Sequence, residues 1–364
     1  MTVRVAHYRT GRLVEVSGSF GKQRESTRLV AAPGFFDLQC NGFAGIDFNH
    51  PATTPEQLVQ AIHALPRTGV TQLLPTVITA APERLEHLLR NVVAARELDR
   101  TVRNAVPGIH LEGPWISPED GARGAHPSEH VRAVDRALWR RLQRAAEGLI
   151  RMVTLAPEVR GATSFIRQLR NENILPALGH TLADAAQIRV AAENGALLST
   201  HLGNGCPQML HRHHNPIYAQ LAEDRLGASL IADGVHLPGE VLRAFVRVKG
   251  WGRTLLVTDA MAAAGAAPGR FTLGDLVLEV GRDRVVRQPG ERHFAGSALT
   301  MDRAVGVFAR ATAATLTQAW DTASTVPRRL FVEATGIRFS SLAVGRVLAA
   351  WDDEKRELSI ISPT

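Results

Sequence analysis

The chain has 364 residues, 45% apolar and 21% charged side chains, and a formal net charge of +7. This is ordinary globular composition, enough for one large domain with or without a small companion, and it predicts a sizeable core. It excludes a disulfide framework, since Cys40 and Cys206 are the only cysteines, and the absence of an apolar run of ~18 residues argues against a membrane span. From the amino end, residues 2–30 are rich in Val, Arg, Ser and Gly and contain short alternating runs such as Arg12-Leu13-Val14-Glu15-Val16, the pattern of small antiparallel strands. The middle of the chain alternates between two kinds of segment. Apolar strand-like runs occur at 35–40, 72–78, 108–111, 151–155, 174–178, 196–200, 228–232 and 254–258. Helical patterns follow most of them, at 55–65, 83–98, 134–146, 182–194 and 240–248. Residues 271–287 read as a β-hairpin inserted after the eighth run, and the final runs at 347–351 and 358–361 read as strands again.

Eight strand runs with intervening helices predict an α/β fold, a (β/α)8 barrel at 33–341, with a doubly wound open sheet as the alternative. The two β-rich ends, 1–32 and 342–364, predict one small β-sandwich domain built from both termini. The barrel is favoured because polar and metal-capable residues recur at the ends of many strand runs, where barrel enzymes place their chemistry.

The positive charge is nearly all arginine, with Lys22, Lys249 and Lys355 the only lysines. Its scatter reads as a solvated surface rather than a nucleic-acid footprint, which would need a basic cluster interleaved with aromatics. The nearest candidate, Trp139 to Arg144, reads as an amphipathic helix with Leu138, Leu142 and Ala145 on one face and Arg140 and Arg144 on the other. Two cysteines and an amino end without an apolar h-region point to a reduced, cytoplasmic protein with no membrane or nucleic-acid partner.

Glu112, His180 and His201 each stand where an apolar run meets glycine or polar residues, in Leu111-Glu112-Gly113-Pro114, Gly179-His180-Thr181 and Thr200-His201-Leu202. Two imidazoles and a carboxylate can hold one divalent metal and leave a position open for water, the mark of a catalytic rather than a structural site. Strand ends converge in a barrel, so wide separation along the chain is no obstacle. Asp259, in Val257-Thr258-Asp259-Ala260, is placed to take a proton from the attacking water and deliver it to a leaving amine. His126, in Gly124-Ala125-His126-Pro127, is placed to polarise a substrate carbonyl. Taken singly, each has a plainer reading as a helix cap or a hydrogen-bonded loop residue.

These motifs resemble the amidohydrolase superfamily and, within it, the N-acetylglucosamine-6-phosphate deacetylase family. The resemblance rests on an ordered series that runs from Pro33-Gly34-Phe35-Phe36-Asp37-Leu38-Gln39-Cys40-Asn41-Gly42 through Gly108-Ile109-His110-Leu111-Glu112-Gly113-Pro114 and Leu155-Ala156-Pro157-Glu158. It continues through Gly179-His180-Thr181, Thr200-His201-Leu202, Asp233-Gly234-Val235-His236 and Val257-Thr258-Asp259-Ala260 to Ala295-Gly296-Ser297. It implies metal-dependent hydrolysis of the acetamide of an N-acetyl amino sugar, with N-acetylglucosamine 6-phosphate the leading substrate. An unphosphorylated N-acetyl sugar, an N-acyl amino acid or a silent ligand-binding barrel are the alternatives. Glu112, His180 and His201 match the family's metal ligands, Asp259 its base and acid, and His126 the histidine that steadies the oxyanion. Substrate contacts carry over to Ala125, Asn204, Gly205, Arg212, His236, Phe294, Ala295 and Gly296. Many relatives carry His-x-His at the end of the first strand. Gln39 and Asn41 stand there instead, poor ligands beside imidazole, which favours one metal over two. Zinc is the expected ion, with iron, manganese or cobalt also fitting the donor set, and a homodimer is the expected assembly. The stretch His211-Arg212-His213-His214-Asn215-Pro216 departs from the family pattern. Arg212 matches the phosphate-binding arginine by its distance from His201, whereas counting back from Pro216 puts His214 there.

Overall fold

The computed structural model describes residues 13–15, 26–289, 296–340 and 344–363. Its centre is one sheet of eight parallel strands. In chain order these are β1 (Phe35–Cys40), β2 (Val70–Ile78), β3 (Ile109–Glu112), β4 (Ile150–Leu155), β5 (Leu175–Leu178), β6 (Leu198–Ser199), β7 (Gly227–Leu230) and β8 (Thr254–Leu256). Each pairs with its sequence neighbours. All six residues of β1 are buried, as expected of a strand covered on both sides, and its two polar members, Asp37 and Gln39, are held by buried hydrogen bonds. The ring closes beyond the last ladder. Asp259 N donates to Gln39 O at 3.0 Å and Asn41 N to Ala260 O at 2.7 Å, and Cys40 bridges Ala260. Closure selects the barrel over the open sheet.

Two strands fall furthest short of their apolar runs. The run at 196–200 yields only Leu198–Ser199, and that at 254–258 only Thr254–Leu256. The cause is local. His201 and Asp259 have left-handed backbones, φ 29° and 48°, so the chain leaves the ladder just before them. Thr258 N then turns to the Asp37 carboxylate instead of a neighbouring carbonyl.

Helices α1 (Pro55–Ala64), α2 (Pro82–Leu98), α3 (Arg100–Ala105), α4 (Arg136–Ala145), α5 (Ala162–Asn171) and α6 (Ala185–Glu193) follow the early strands. Then come α7 (Pro216–Ala222), α8 (Gly239–Lys249), α9 (Met301–Thr312), α10 (Leu316–Ala323) and α11 (Thr325–Thr335). Side-chain caps start several of them. Thr54 with Gln57, Asp184 with Gln187, and Thr315 with Gln318 form capping boxes, satisfying orphan N–H groups of the first turn. In α4, Leu138, Leu142 and Ala145 are buried while Arg140 and Arg144 face solvent, and Arg141 pairs with Glu86 of α2 at 2.7 Å. The buried Lys249 ends α8 by donating to the carbonyls of Gln220, Glu223 and Leu226 at 2.6, 2.8 and 3.0 Å. It thereby fixes the turn between α7 and β7, and burial lowers its pKa to about 8.

A four-stranded antiparallel sheet takes strands from both ends, in the order Val14–Glu15, Thr27–Pro33, Arg346–Asp352, Glu357–Pro363. Its two faces alternate. Leu29, Ala31 and Leu348 form a small core of their own, while Val30, Ala32, Val347 and Ala349 join the main core, the period of two that strands impose. The predicted hairpin is a three-stranded sheet, Gly269–Leu273, Leu276–Val280 and Val286–Arg287. It has its own core with Met261 and Ala298, against which Ile78 and Ala125 pack. Asp47 Oδ2 accepts from Gly274 N at 2.8 Å at its tip.

Candidate active site

The carboxyl ends of the strands bring together the residues that the sequence singled out. Glu112 ends β3, and His180 and His201 each lie two residues beyond β5 and β6. Glu112 Oε1 lies 3.3 Å from His180 Nε2 and 3.1 Å from His201 Nε2, and the two Nε2 atoms are 3.2 Å apart. All three side chains are buried. His180 and His201 share with Asp259 a positive φ, 51°, 29° and 48°, a backbone state that L-residues with a Cβ rarely occupy and that clusters at functional sites.

The donor set fits one divalent cation. His180 Nδ1 lies 2.9 Å from Ala122 O. A carbonyl can only accept, so the neutral ring carries its proton on Nδ1 and turns the Nε2 lone pair toward Glu112 and His201. Two imidazole nitrogens and a carboxylate oxygen at mutual spacings of 3.1–3.3 Å match the edges of a tetrahedron with ~2.0 Å bonds, about 3.3 Å. Burial pushes the Glu112 carboxyl up, yet the adjacent imidazoles of His180 and His201 outweigh it and hold it well below the ordinary carboxylate range.

His126 lies closer to this cluster than a group facing it across a substrate. Its Nε2 is 3.3 Å from His180 Nε2 and its Nδ1 2.9 Å from Thr79 Oγ1. Glu112, His126 and His180 thus form a second grouping within metal-binding reach, their ligand atoms all within 4.8 Å of one another. Burial, assisted by the neighbouring His180, lowers the His126 pKa to about 3, so the ring is neutral.

Gln39 and Asn41 face the carboxylates as donors. Gln39 Nε2 donates to Glu112 Oε1 at 2.9 Å and to Asp259 Oδ1 at 3.1 Å, and Asn41 Nδ2 donates to Asp259 Oδ1 at 2.7 Å. Burial raises the Asp259 carboxyl, opposed chiefly by His201. Beneath the cluster lies a polar layer that the sequence reading did not single out. His110 Nε2 is 2.8 Å from Thr154 Oγ1, which is 2.8 Å from Thr200 Oγ1, while His110 Nδ1 is 3.3 Å from Thr76 Oγ1. Burial lowers His110 to about 4. The available signal was its spacing, two residues before Glu112 and so on the same side of β3.

The expected substrate contacts fall in several places. Ala125 packs on the core of the inserted hairpin beside His126. Gly205, φ +59°, lies so close to His180 that a Cβ would stand 2.9 Å from Nδ1. Asn204 Nδ2 donates to His201 O at 3.2 Å. His236 Nδ1 is 2.6 Å from Asp233 Oδ2, and His236 lies near enough to Asp259 to oppose the rise of its carboxyl. Gly296 adjoins Asp259, whose carbonyl accepts from Ser297 N at 2.9 Å. Phe294 and Ala295 lie outside the described residues. Arg212, His213 and His214 are exposed in the loop before α7, where His211 Nδ1 accepts from the backbone N–H groups of His213 and His214.

No family model matches the chain. An N-acetylglucosamine-6-phosphate deacetylase from Danio rerio is 36% identical to it over 315 residues, 83% of this chain and 75% of that protein. An N-acetylgalactosamine-6-phosphate deacetylase from Escherichia coli O157:H7 is 35% identical over 304 residues, 83% of this chain and 78% of its own length. Among solved structures, a mutant N-acetyl-D-glucosamine-6-phosphate deacetylase from Mycobacterium smegmatis, in complex with N-acetyl-D-glucosamine-6-phosphate, superposes with a TM-score of 0.80. It is 32% identical and covers 97% of this chain and 91% of its own.

Proposed function

The chain belongs to the N-acetylglucosamine-6-phosphate deacetylase family of metal-dependent amidohydrolases, and on that premise we propose that it releases acetate from an N-acetyl amino sugar 6-phosphate, N-acetylglucosamine 6-phosphate foremost. The observation that carries the reading is the convergence of Glu112, His180 and His201 within 3.1–3.3 Å of one another, with Asp259 tied to Glu112 through one Gln39 amide. Glu112, His180 and His201 would hold a single divalent cation, zinc by its fit to the donor set, which when bound supplies Lewis acidity to water and to the acetamide carbonyl. Asp259 receives both amide donors on Oδ1, so Oδ2 is the oxygen that takes the proton of the attacking water and passes it to the departing amine. His126, neutral, takes a hydrogen bond from the Thr79 hydroxyl on Nδ1 and so carries its proton on Nε2, the donor offered to the developing oxyanion. Gly205, Asn204, His236, Ala125 and the segment Phe294, Ala295 and Gly296 form the sugar end, and Arg212 the phosphate end.

We place the catalytic barrel at 33–341 and the small β domain at 1–32 and 342–364. A homodimer in the cytoplasm completes the reading, the compartment supported by Cys40 and Cys206 both being free thiols and the assembly testable by sedimentation. The deciding experiment compares acetate release from N-acetylglucosamine 6-phosphate, N-acetylgalactosamine 6-phosphate and their unphosphorylated forms on metal-stripped and metal-restored protein. Metal-restored protein that releases acetate from none of them refutes the proposal.

A further inference from the structure

Two carboxylates outside the reacting cluster, Glu158 and Asp37, stand in matching places behind it. The first follows β4, beside the strand that carries His180. The second lies on β1, across the seam from the strand that leads to Asp259. Both His180 and Asp259 hold left-handed backbones, and such a conformation persists only where the surroundings over-determine it. At His180, the next residue supplies the grip. Thr181 Oγ1 donates to Glu158 Oε2 at 2.5 Å, and Glu158 Oε1 accepts from Leu182 N at 2.7 Å. The same hydroxyl accepts from Ala183 N at 2.9 Å. At Asp259 it is the preceding residue. Thr258 Oγ1 donates to Asp37 Oδ2 at 2.5 Å, and Asp37 Oδ1 accepts from Thr258 N and Gln39 N at 3.2 Å each. That hydroxyl in turn accepts from Ala260 N at 3.1 Å. Each carboxylate therefore fixes one threonine hydroxyl and nearby N–H groups around one strained residue. His201 uses a different device, its N–H donating to Ser229 Oγ at 2.8 Å.

We infer that Glu158 and Asp37 are positioning residues with separate duties: through Thr181, Glu158 sets His180 for the cation, and through Thr258, Asp37 sets Asp259 for proton transfer. The inference rests on the amidohydrolase reading above, but its first half is read out by metal binding alone. Neither carboxylate bonds directly to Glu112, His180, His201 or Asp259; each acts through its threonine and the neighbouring N–H groups it holds, Leu182 N for Glu158 and Gln39 N for Asp37.

The test uses the full chain and four variants, Thr181→Val, Thr181→Ser, Thr258→Val and Thr258→Ser, each checked for folding by circular dichroism. Zinc affinity is measured by chelator competition, and kcat and KM at saturating zinc. Thr181→Val is expected to weaken zinc binding about 10–100-fold, the range for losing a group that orients a ligand, with kcat largely restored at saturating zinc. Thr258→Val is expected to leave zinc affinity unchanged and to lower kcat rather than raise KM. Each serine variant keeps the hydroxyl and regains the native value. If the two valine variants lose stability alike while zinc affinity and kcat stay native, the carboxylates are structural only and the inference is overturned. It is equally overturned if both variants weaken zinc alike. Protein that binds zinc with this pattern but releases no acetate sinks the proposed function and leaves the Glu158 half standing.

Discussion

Replacing Gly205 with alanine puts a methyl group 2.9 Å from His180 Nδ1 and 3.2 Å from its Cε1 and Cγ. Ordinary contact begins near 3.4 Å, so the ring must retreat by about 0.5 Å, the tolerance within which a metal ligand has to be held. Retreat also strains the bond from Nδ1 to Ala122 O and swings Nε2 relative to Glu112 and His201. A second cost is general, since φ at Gly205 is +59° and a Cβ in the left-handed region costs about 1–2 kcal/mol. Gly124 separates the two effects. Its φ is +60°, but its Cβ would stand 3.3 Å from His180 Cε1, hardly inside ordinary contact. Both alanine variants therefore lose similar stability to urea, while only Gly205→Ala loses zinc affinity, by about 10–100-fold or about 1.4–2.8 kcal/mol. Chelator competition on metal-stripped protein measures the difference. Equal zinc affinity in the two variants would refute the claim that the missing side chain at 205 exists to seat His180.

Asp259→Asn keeps the shape and both amide contacts but cannot take a proton; kcat should fall about 10²–10⁴-fold with zinc affinity retained, read by steady-state kinetics beside chelator competition. Arg212→Ala should raise KM for the 6-phosphorylated sugar about 10–100-fold, the worth of hydrogen bonds to a charged group, and leave the unphosphorylated sugar unaffected; equal effects on both would remove Arg212 from phosphate recognition. Burial raises the Asp37 carboxyl from an ordinary 3.8 to about 7, against hydrogen bonds from Thr258 and Gln39. Between these values the folded chain keeps a proton that the unfolded chain has released. That contribution to stability is complete below pH ~4 and is lost as pH rises through 7, at up to ~1.4 kcal/mol per pH unit. Asp37→Asn should flatten this share of the slope in urea titrations from pH 4 to 8, and a parallel slope in the variant would contradict it.

The eight barrel strands were legible because strands buried on both sides read as short, largely apolar runs, and the polar residues at the C-terminal ends of those runs marked the site. Glu112, His180 and His201 converge as their strand-end positions require. Three things were hidden, each for a physical reason. The strand ends at 199 and 256 depend on left-handed residues that no periodicity announces. The close seating of His126 against His180 depends on the Thr79 hydroxyl and on a loop path rather than on composition. The grips of Asp37 and Glu158 join residues 221 and 23 positions apart, and nothing local in either partner declares the other. His110 was readable in principle from the period of two, but beside a stronger neighbour it passed as an ordinary strand residue.

The seam between β1 and β8 sets an order in time. The three cation-facing side chains all lie within the first 201 residues, whereas the bonds that fix Asp259 reach back 218 and 220 positions to Asn41 and Gln39. A chain emerging from the ribosome amino end first has therefore made every side chain proposed to hold the ion before it owns the carboxylate proposed to move protons. Until residues 258 and 259 arrive, Asp37 waits without its hydroxyl and Asn41 without the carboxylate it holds. The last barrel strand, β8, therefore completes the ring and delivers the proposed proton carrier in the same step, and a product that stops before residue 259 holds the proposed cation ligands without it.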